Sequence, residues 1–220
     1  MSKQATAAGS TAAEGQCRQP DDVKDTLNGL PNCTLITQEG EARVWDCASF
    51  CGRPCIIKES CSRPHRHDRF RRKQPAGSRL KQEVRSMCRL RRLGLRVPSL
   101  YHVEPGSSCI YMERVAGTPL RQLLADSSRD DPGLRSMLAA VGKLLAVMHD
   151  SGVVHGDLTA SKLLLQQQQE GEPSVVLLDL GLSISSSYPE DKGVDLLLLL
   201  QDMAQKQQQQ QQQGADAGDV

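Results

Sequence analysis

The chain has 220 residues, with 27 basic and 26 acidic side chains, a formal net charge of +1 and 38% hydrophobic residues. That length suits one compact domain or a small two-lobed one, and aromatics at only 3% leave Leu, Val, Ile and Met to build its core. The charge balance excludes a polycation, so any nucleic-acid affinity has to come from a local patch. No apolar run approaches a membrane span, the Leu196–Leu200 run being far too short.

Residues 1–30 are rich in Ala, Ser, Thr, Gly and Gln without apolar periodicity, and read as a disordered tail. An organelle transit peptide is the alternative; the scarcity of early acids favours it and the lack of arginines before Arg18 disfavours it. The apolar segment of a secretory signal is absent, so the 8 cysteines are expected reduced, in the cytoplasm or nucleus.

From Cys33 the pattern is strand-like: CTLITQ, EARVWDC, a turn around Cys51-Gly52-Arg53-Pro54, then CIIKES. Gly40, between the first two runs, could bring backbone N–H groups near a phosphate, although its surroundings are not GxGxxG. Lys58 ends the CII run. A solvated lysine at a strand end is the commoner arrangement; the functional one is a lysine gripping nucleotide phosphates, fixed by a glutamate on a neighbouring helix. Leu80, Val84, Met87 and Leu90 predict such a helix over residues 79–93, and Glu83 shares its apolar face. A carboxylate there demands a cation, for which Lys58 is the candidate.

The block SRPHRHDRFRRK lies between these elements and carries Arg66, Arg69, Arg71, Arg72 and Lys73. A solvated loop is one reading and a phosphate-backbone contact with RNA the other. Cys47, Cys51, Cys55 and Cys61 fall close enough for zinc, but without a double CxxC they read better as small buried residues.

A strand over Cys109–Glu113 leads to a break at Glu113–Gly117, a hinge into a second, helical lobe. An adenine there would bond backbone groups near Glu113 and Val115. Asp131 as N-cap and Pro132 at the first helical position start a helix whose buried stripe is Leu134, Met137, Leu138, Val141, Leu145 and Met148; Gly152 ends it. A last helix is expected over Leu196–Met203, then a Gln-rich low-complexity tail.

Chemistry concentrates between Val153 and Ser183. Asp157 stands in His155-Gly156-Asp157, and Asp179 follows VVLL and precedes Leu180-Gly181. Phosphoryl-transfer enzymes present two acids this way, one to orient or deprotonate an acceptor and one to hold magnesium. Only residues 182–189 separate Leu180-Gly181 from Glu190-Asp191-Lys192, too short for a segment that presents a peptide substrate.

HGDLTASKLL and DLGLS…EDKGVDL resemble the HGDLTTSNML and DFGLS…EDKAVDL signatures of the PRPK-type atypical kinases of the KEOPS (EKC) complex. The likeness runs from about Leu35 to Asp202, through QEGEA, IIK, PHRHDRF, QEVRSM and GLRVPSLYHVE. It implies an α+β, bilobal kinase fold, with an N-lobe over residues 31–115 and a reduced helical C-lobe over 116–205; the glutamine-rich composition of residues 206–220 reads as a disordered tail. The resemblance also implies ATP and magnesium as cofactors, and KEOPS partners, chiefly the threonylcarbamoyl-transfer subunit, with tRNA bound in the complex. The activity implied is an ATPase supporting threonylcarbamoyladenosine formation that can also phosphorylate protein serines. By the same resemblance Lys58 contacts phosphates, Glu83 anchors Lys58, Asp157 is the catalytic acid/base, Asp179 the magnesium ligand, Asp195 a brace for the catalytic loop, and His155 a structural residue.

Lys162 departs from the family pattern, standing where these kinases carry an asparagine that holds a second magnesium. An ammonium has no lone pair for a metal; it either replaces part of the lost ion's charge or repels the ions. It thus favours the alternative of a pseudo-kinase with a structural role. A small-molecule phosphotransferase of the aminoglycoside-kinase type shares HGD but lacks the EDKGVDL element.

Overall fold

The protein is described by a computed structural model covering residues 33–39, 42–60, 76–126, 131–166 and 173–216. β1 (Cys33–Glu39), β2 (Ala42–Phe50) and β3 (Arg53–Ser60) form an antiparallel meander. β4 (Leu100–Glu104) and β5 (Cys109–Glu113) complete a five-stranded sheet in the order β1-β2-β3-β5-β4. The β2–β3 turn uses Cys51 and Gly52, both at positive φ (52° and 79°), the backbone pair whose twist matches a hairpin.

Alternation sorts the sheet's two faces. Trp45, Cys47, Cys55 and Ile57 pack with Cys109 and Tyr111 on one face, while Val44, Ile56 and Lys58 point to the other. Helix α1 (Ala76–Arg92) lies against β3 and buries Leu80, Met87 and Leu90 in the main core.

The cysteine expectation needs correction. Cys33 and Cys47 are partners in the β1–β2 register and are joined as a disulfide. Cross-strand pairing brings the two together, and the expectation of reduced thiols rested on sequence context alone. The bond also removes Cys47 from any zinc set; burial pushes the Cys55 thiol up to about 11, and Cys51 is exposed. Cys61 lies outside the described residues, among which no cluster of metal-binding side chains occurs.

Beyond Glu113 the chain turns helical: α2 (Leu120–Asp126), α3 (Pro132–Asp150) and α4 (Pro189–Asp216). Asp131 caps α3 by accepting the Gly133 N–H at 2.8 Å, with Pro132 at the first position. Its buried stripe contains Leu144 and His149 beside the expected residues, with Leu138 half-buried. Two small ribbons sit over these helices, β6 (Thr118–Pro119), β8 (Leu163–Gln166) and β9 (Ser174–Leu177) forming one, β7 (Val153–Val154) and β10 (Ile184–Ser185) the other. No helix among the described residues is long and apolar enough to cross a membrane.

Helix α4 begins before the expected Leu196 and extends past Met203, its backbone remaining helical through the glutamines of the 206–220 segment to Asp216. Pro189 suits a helix start, Glu190 and Asp191 complement the dipole of the first turn, and glutamine is a good helix former. Asp195, Leu199 and Asp202 share one face at helical spacing and all turn inward. Asp202 bonds the Ala160 N–H at 2.9 Å and the Arg121 guanidinium at 2.7 Å, fastening α4 to the segment before β8 and to α2. Asp202→Ala is therefore expected to lower stability by about 1–3 kcal/mol, read as a reduced denaturation midpoint in urea. An unchanged midpoint would show that α4 is held by its apolar contacts alone.

Candidate active site

Strand β3 carries Lys58 to the sheet face covered by α1, and helical spacing places Glu83 on α1's buried side. The Lys58 ammonium donates to both Glu83 oxygens, at 2.8 and 2.9 Å, and to Asp179 Oδ1. Glu83 is 2% exposed; burial pushes its carboxyl up, and Lys58 opposes that rise. Burial would lower Lys58, but Glu83 and Asp179 outweigh it, so the lysine is raised and stays charged. For Asp179 the crowding of protein around the carboxyl acts upward, yet Lys58 and Lys162 hold it well below the usual carboxylate range. Its side chain keeps 41% exposure, so it lines the mouth of the site.

Asp179 adopts a left-handed backbone, φ 58°, rare outside glycine. Gly181 then lets the chain pass close to the ion pair, since a Cβ there would lie 3.1 Å from Glu83 Oε2 and 3.6 Å from Lys58 Nζ. Ser183 Oγ donates to the Leu180 carbonyl at 2.6 Å and is hydrogen-bonded with Ser86 Oγ of α1 at 2.7 Å, which ties this segment to the helix bearing Glu83.

Asp157 is positioned by a buried bracket. Asp195, fully buried, accepts the His155 N–H at 2.6 Å and the Gly156 N–H at 2.8 Å, and lies 3.1 Å from His149 Nε2. Gly156 is required by geometry: φ is 80°, and a Cβ would come within 2.3 Å of the Leu182 carbonyl. His155 donates from Nε2 to the Leu178 carbonyl at 3.0 Å, and Nδ1 accepts the Asp157 N–H at 3.3 Å. Burial lowers its pKa, so the ring is a neutral strut between the two acidic segments.

Lys162 closes the cluster. From the end of a 3-10 turn (Ala160–Lys162) its Nζ reaches Asp157 Oδ2 at 2.5 Å, the Asp157 carbonyl at 2.9 Å and Asp179 Oδ2 at 3.3 Å. Lys58, Glu83, Asp157, Lys162 and Asp179 thus meet in one place. Glu113 and Val115 lie apart, at the hinge after β5. The Glu113 N–H donates to the Ser99 carbonyl at 2.8 Å and the Arg114 N–H to the Pro54 carbonyl at 3.4 Å. Gly40, Arg66, Arg69, Arg71, Arg72 and Lys73 lie outside the described residues.

One arrangement at the hinge carries no signal in the sequence. The Glu113 carboxylate clamps the loop before β4: it takes two hydrogen bonds from Arg96 and accepts from Ser99 N–H (2.9 Å) and Ser99 Oγ (2.8 Å). The Arg96 bonds first, then those from Ser99, pull Glu113 down to about 2 against partial burial. A lone Arg and Ser in a loop have no periodicity to betray them, whereas Asp202, two turns after Asp195 and just beyond the Leu196–Leu200 run, is detectable by helical spacing.

The sheet, the helix carrying the lysine's glutamate partner and the two aspartate segments define a kinase-like fold. The Rio2 kinase of Chaetomium thermophilum, solved as an ADP/Mg2+-phosphoaspartate complex, superposes with a TM-score of 0.58 at 18% identity, over 80% of this chain and 56% of that one. The sequence model of the lipopolysaccharide kinase (Kdo/WaaP) family matches residues 62–215. The EKC/KEOPS complex subunit bud32 of Dictyostelium discoideum is 36% identical over 168 residues, 75% of this chain and 65% of its own length. The EKC/KEOPS complex subunit Tp53rkb of Mus musculus is 36% identical over 177 residues, 79% of this chain and 70% of its own length. A probable bifunctional tRNA threonylcarbamoyladenosine biosynthesis protein of Methanothermobacter thermautotrophicus is 31% identical over 169 residues, 77% of this chain and 29% of its own length. The chain belongs to this family of kinase-like EKC/KEOPS subunits, and spans about two thirds of the length of the first two relatives.

The clamp gives a pH prediction. Glu113 is depressed from 4.5 to about 2 in the folded protein, so its contribution is complete above the unfolded value and is lost as pH falls through the folded one. Glu113→Gln is expected to be destabilised by about 1–3 kcal/mol at pH 7, with the gap from wild type narrowing below about pH 4.5. Urea titrations at several pH values test this; a gap independent of pH would mean that the carboxylate's charge contributes nothing.

Proposed function

We propose that this chain is an ATP-dependent kinase/ATPase subunit of a KEOPS-type complex, supporting threonylcarbamoyladenosine formation on tRNA. The observation that carries the reading is the Lys58–Glu83 pair facing Asp157 and Asp179. In this reading Lys58, held charged and oriented by Glu83, grips nucleotide phosphates. With the Glu113 and Arg114 amides already bonded, the Val115 amide is the hinge donor for adenine. Asp157 orients the attacking hydroxyl or water, fixed by the Asp195 bracket and the neutral His155. The threonylcarbamoyl-transfer subunit is the chief partner, protein serines are further acceptors, and cytoplasm and nucleus are the compartments.

The donor set suits magnesium brought in with the nucleotide. Asp179 offers hard carboxylate oxygens at the mouth of the site, and no cluster of metal-binding side chains lies among the described residues; magnesium is ordinarily held by one or two carboxylates plus phosphate oxygens rather than by a protein cage. When bound, it would neutralise phosphate charge.

Lys162, paired with Asp157 at 2.5 Å, supports a second reading: a nucleotide-binding pseudo-kinase with a structural role. ATP hydrolysis by the purified chain, alone and with the transfer subunit, separates the two. Turnover is expected for the wild type. Asp157→Ala should keep nucleotide binding within a few-fold while turnover falls by at least about 100-fold, the span of positioned acid–base groups. Absence of turnover in a wild type that binds ATP would establish the pseudo-kinase.

The RNA reading of the basic block has its own test. Replacing Arg66, Arg69, Arg71, Arg72 and Lys73 by alanine should weaken tRNA binding and flatten its dependence on log salt, by up to about one unit for each phosphate no longer neutralised. A wild-type slope would remove this block from the RNA interface.

A further inference from the structure

Lys162 is held as an ion would be held. Its Nζ sits among Asp157 Oδ2 at 2.5 Å, the Asp157 main-chain carbonyl at 2.9 Å and Asp179 Oδ2 at 3.3 Å. The main-chain carbonyl matters most for permanence, because it cannot titrate or turn away. The residue is also fixed at its backbone: its N–H donates to the Thr159 carbonyl at 3.1 Å and its carbonyl accepts from the Leu178 N–H at 2.8 Å, bridging the two acidic segments. At 18% exposure the Lys162 side chain is largely enclosed.

The cluster contains three carboxylates, Glu83, Asp157 and Asp179, and two ammonium groups, Lys58 and Lys162. One negative charge is in excess; an asparagine at 162 would leave two. Protein kinases with an asparagine at this step of the catalytic loop use two divalent ions, one on that asparagine and one on the second acid. Here the oxygens that would face the asparagine-bound ion are already met by a cation, and the amide oxygen that would ligate it is missing.

We propose that Lys162 is a tethered substitute for the second divalent ion, so that this chain takes nucleoside triphosphate with a single divalent ion, at Asp179, and retains nucleotide affinity when divalent ions are withdrawn. The inference rests on the nucleotide-site reading above. Lys162 supplies a fixed positive charge beside the phosphates, with Lys58 on the other side of Asp179. A divalent ion at Asp179 adds to this pair, and its removal leaves both lysines in place.

Binding rather than turnover tests it. Affinity for a fluorescent, non-hydrolysable ATP analogue is measured with magnesium and with EDTA, for wild type, Lys162→Asn, Lys162→Gln and Lys162→Arg, each checked for an intact melting transition. Manganese bound per saturated site is counted by electron paramagnetic resonance. Wild type should weaken by less than about tenfold in EDTA, one decade being the scale of a modest charge interaction in a partly open site, and should bind one manganese. Lys162→Gln and Lys162→Asn should weaken by well over tenfold in EDTA, Lys162→Arg should behave as wild type, and Lys162→Asn should bind a second manganese. Equal EDTA sensitivity in wild type and the neutral variants, or two manganese ions in wild type, would overturn the proposal while leaving the nucleotide site intact. Failure of every folded variant to bind the analogue under either condition would overturn the nucleotide-site reading, and this inference with it.

Discussion

A carboxylate buried on the apolar side of a helix is the constraint from which the rest of the site follows. Glu83 is 2% exposed, and leaving such a group unpaired would be strongly destabilising. Lys58 is the group that meets it, so α1 must lie against β3 at the height of that lysine. Once the two are paired, the lysine's remaining donor capacity faces Asp179, and the left-handed turn at Asp179 with the bare Gly181 lets that segment approach. Breaking the pair would leave a buried charge without compensation, which makes the position of α1 a condition of the site rather than a consequence of it.

The second acid depends on a different device. The place of Asp157 is set by backbone bonds gathered on Asp195 and by a glycine that alone tolerates φ 80° against the Leu182 carbonyl, with Lys162 as a cation beside it. The arginine that protein kinases place between His and Asp would meet that carbonyl here, so glycine at 156 is a steric demand of this backbone. Helix α4 therefore serves the site at two points, through Asp195 and through Asp202.

Legibility followed periodicity and charge. The strands over Cys33–Glu39, Ala42–Phe50 and Arg53–Ser60 and the helix bearing Glu83 are readable because period-2 and 3.6-residue patterns are strong there, and the capped start of α3 because Asp131-Pro132 is a local signal. The EKC/KEOPS likeness is carried by HGD, DLG and EDKGVDL. Three features are not readable. The Cys33–Cys47 bond depends on strand register, which pairing alone reveals. The Glu113 clamp joins a strand end to a loop arginine with no shared period. The full length of α4 is hidden because a glutamine run shows low complexity first and helix propensity only second.

The composition of the charge cluster bears on whether such a site can work at all. Replacing an asparagine by lysine in a metal-dependent site is usually disabling, since the group gained repels the ion that the group lost had held. That objection assumes that the ion's place stays open. Here the ammonium occupies the oxygens of that place itself, at 2.5 and 3.3 Å from the two aspartates, and leaves Asp179 Oδ1 directed towards Lys58. The charge removed with an ion is partly returned by the side chain, without the dehydration that magnesium resists. What is lost is ligation, the ability to pull phosphate oxygens into a defined octahedron, and that loss falls on geometry more than on net attraction. If the proposed nucleotide site is right, a site built this way would give up sharp positioning of the phosphates before it gave up electrostatic attraction for them.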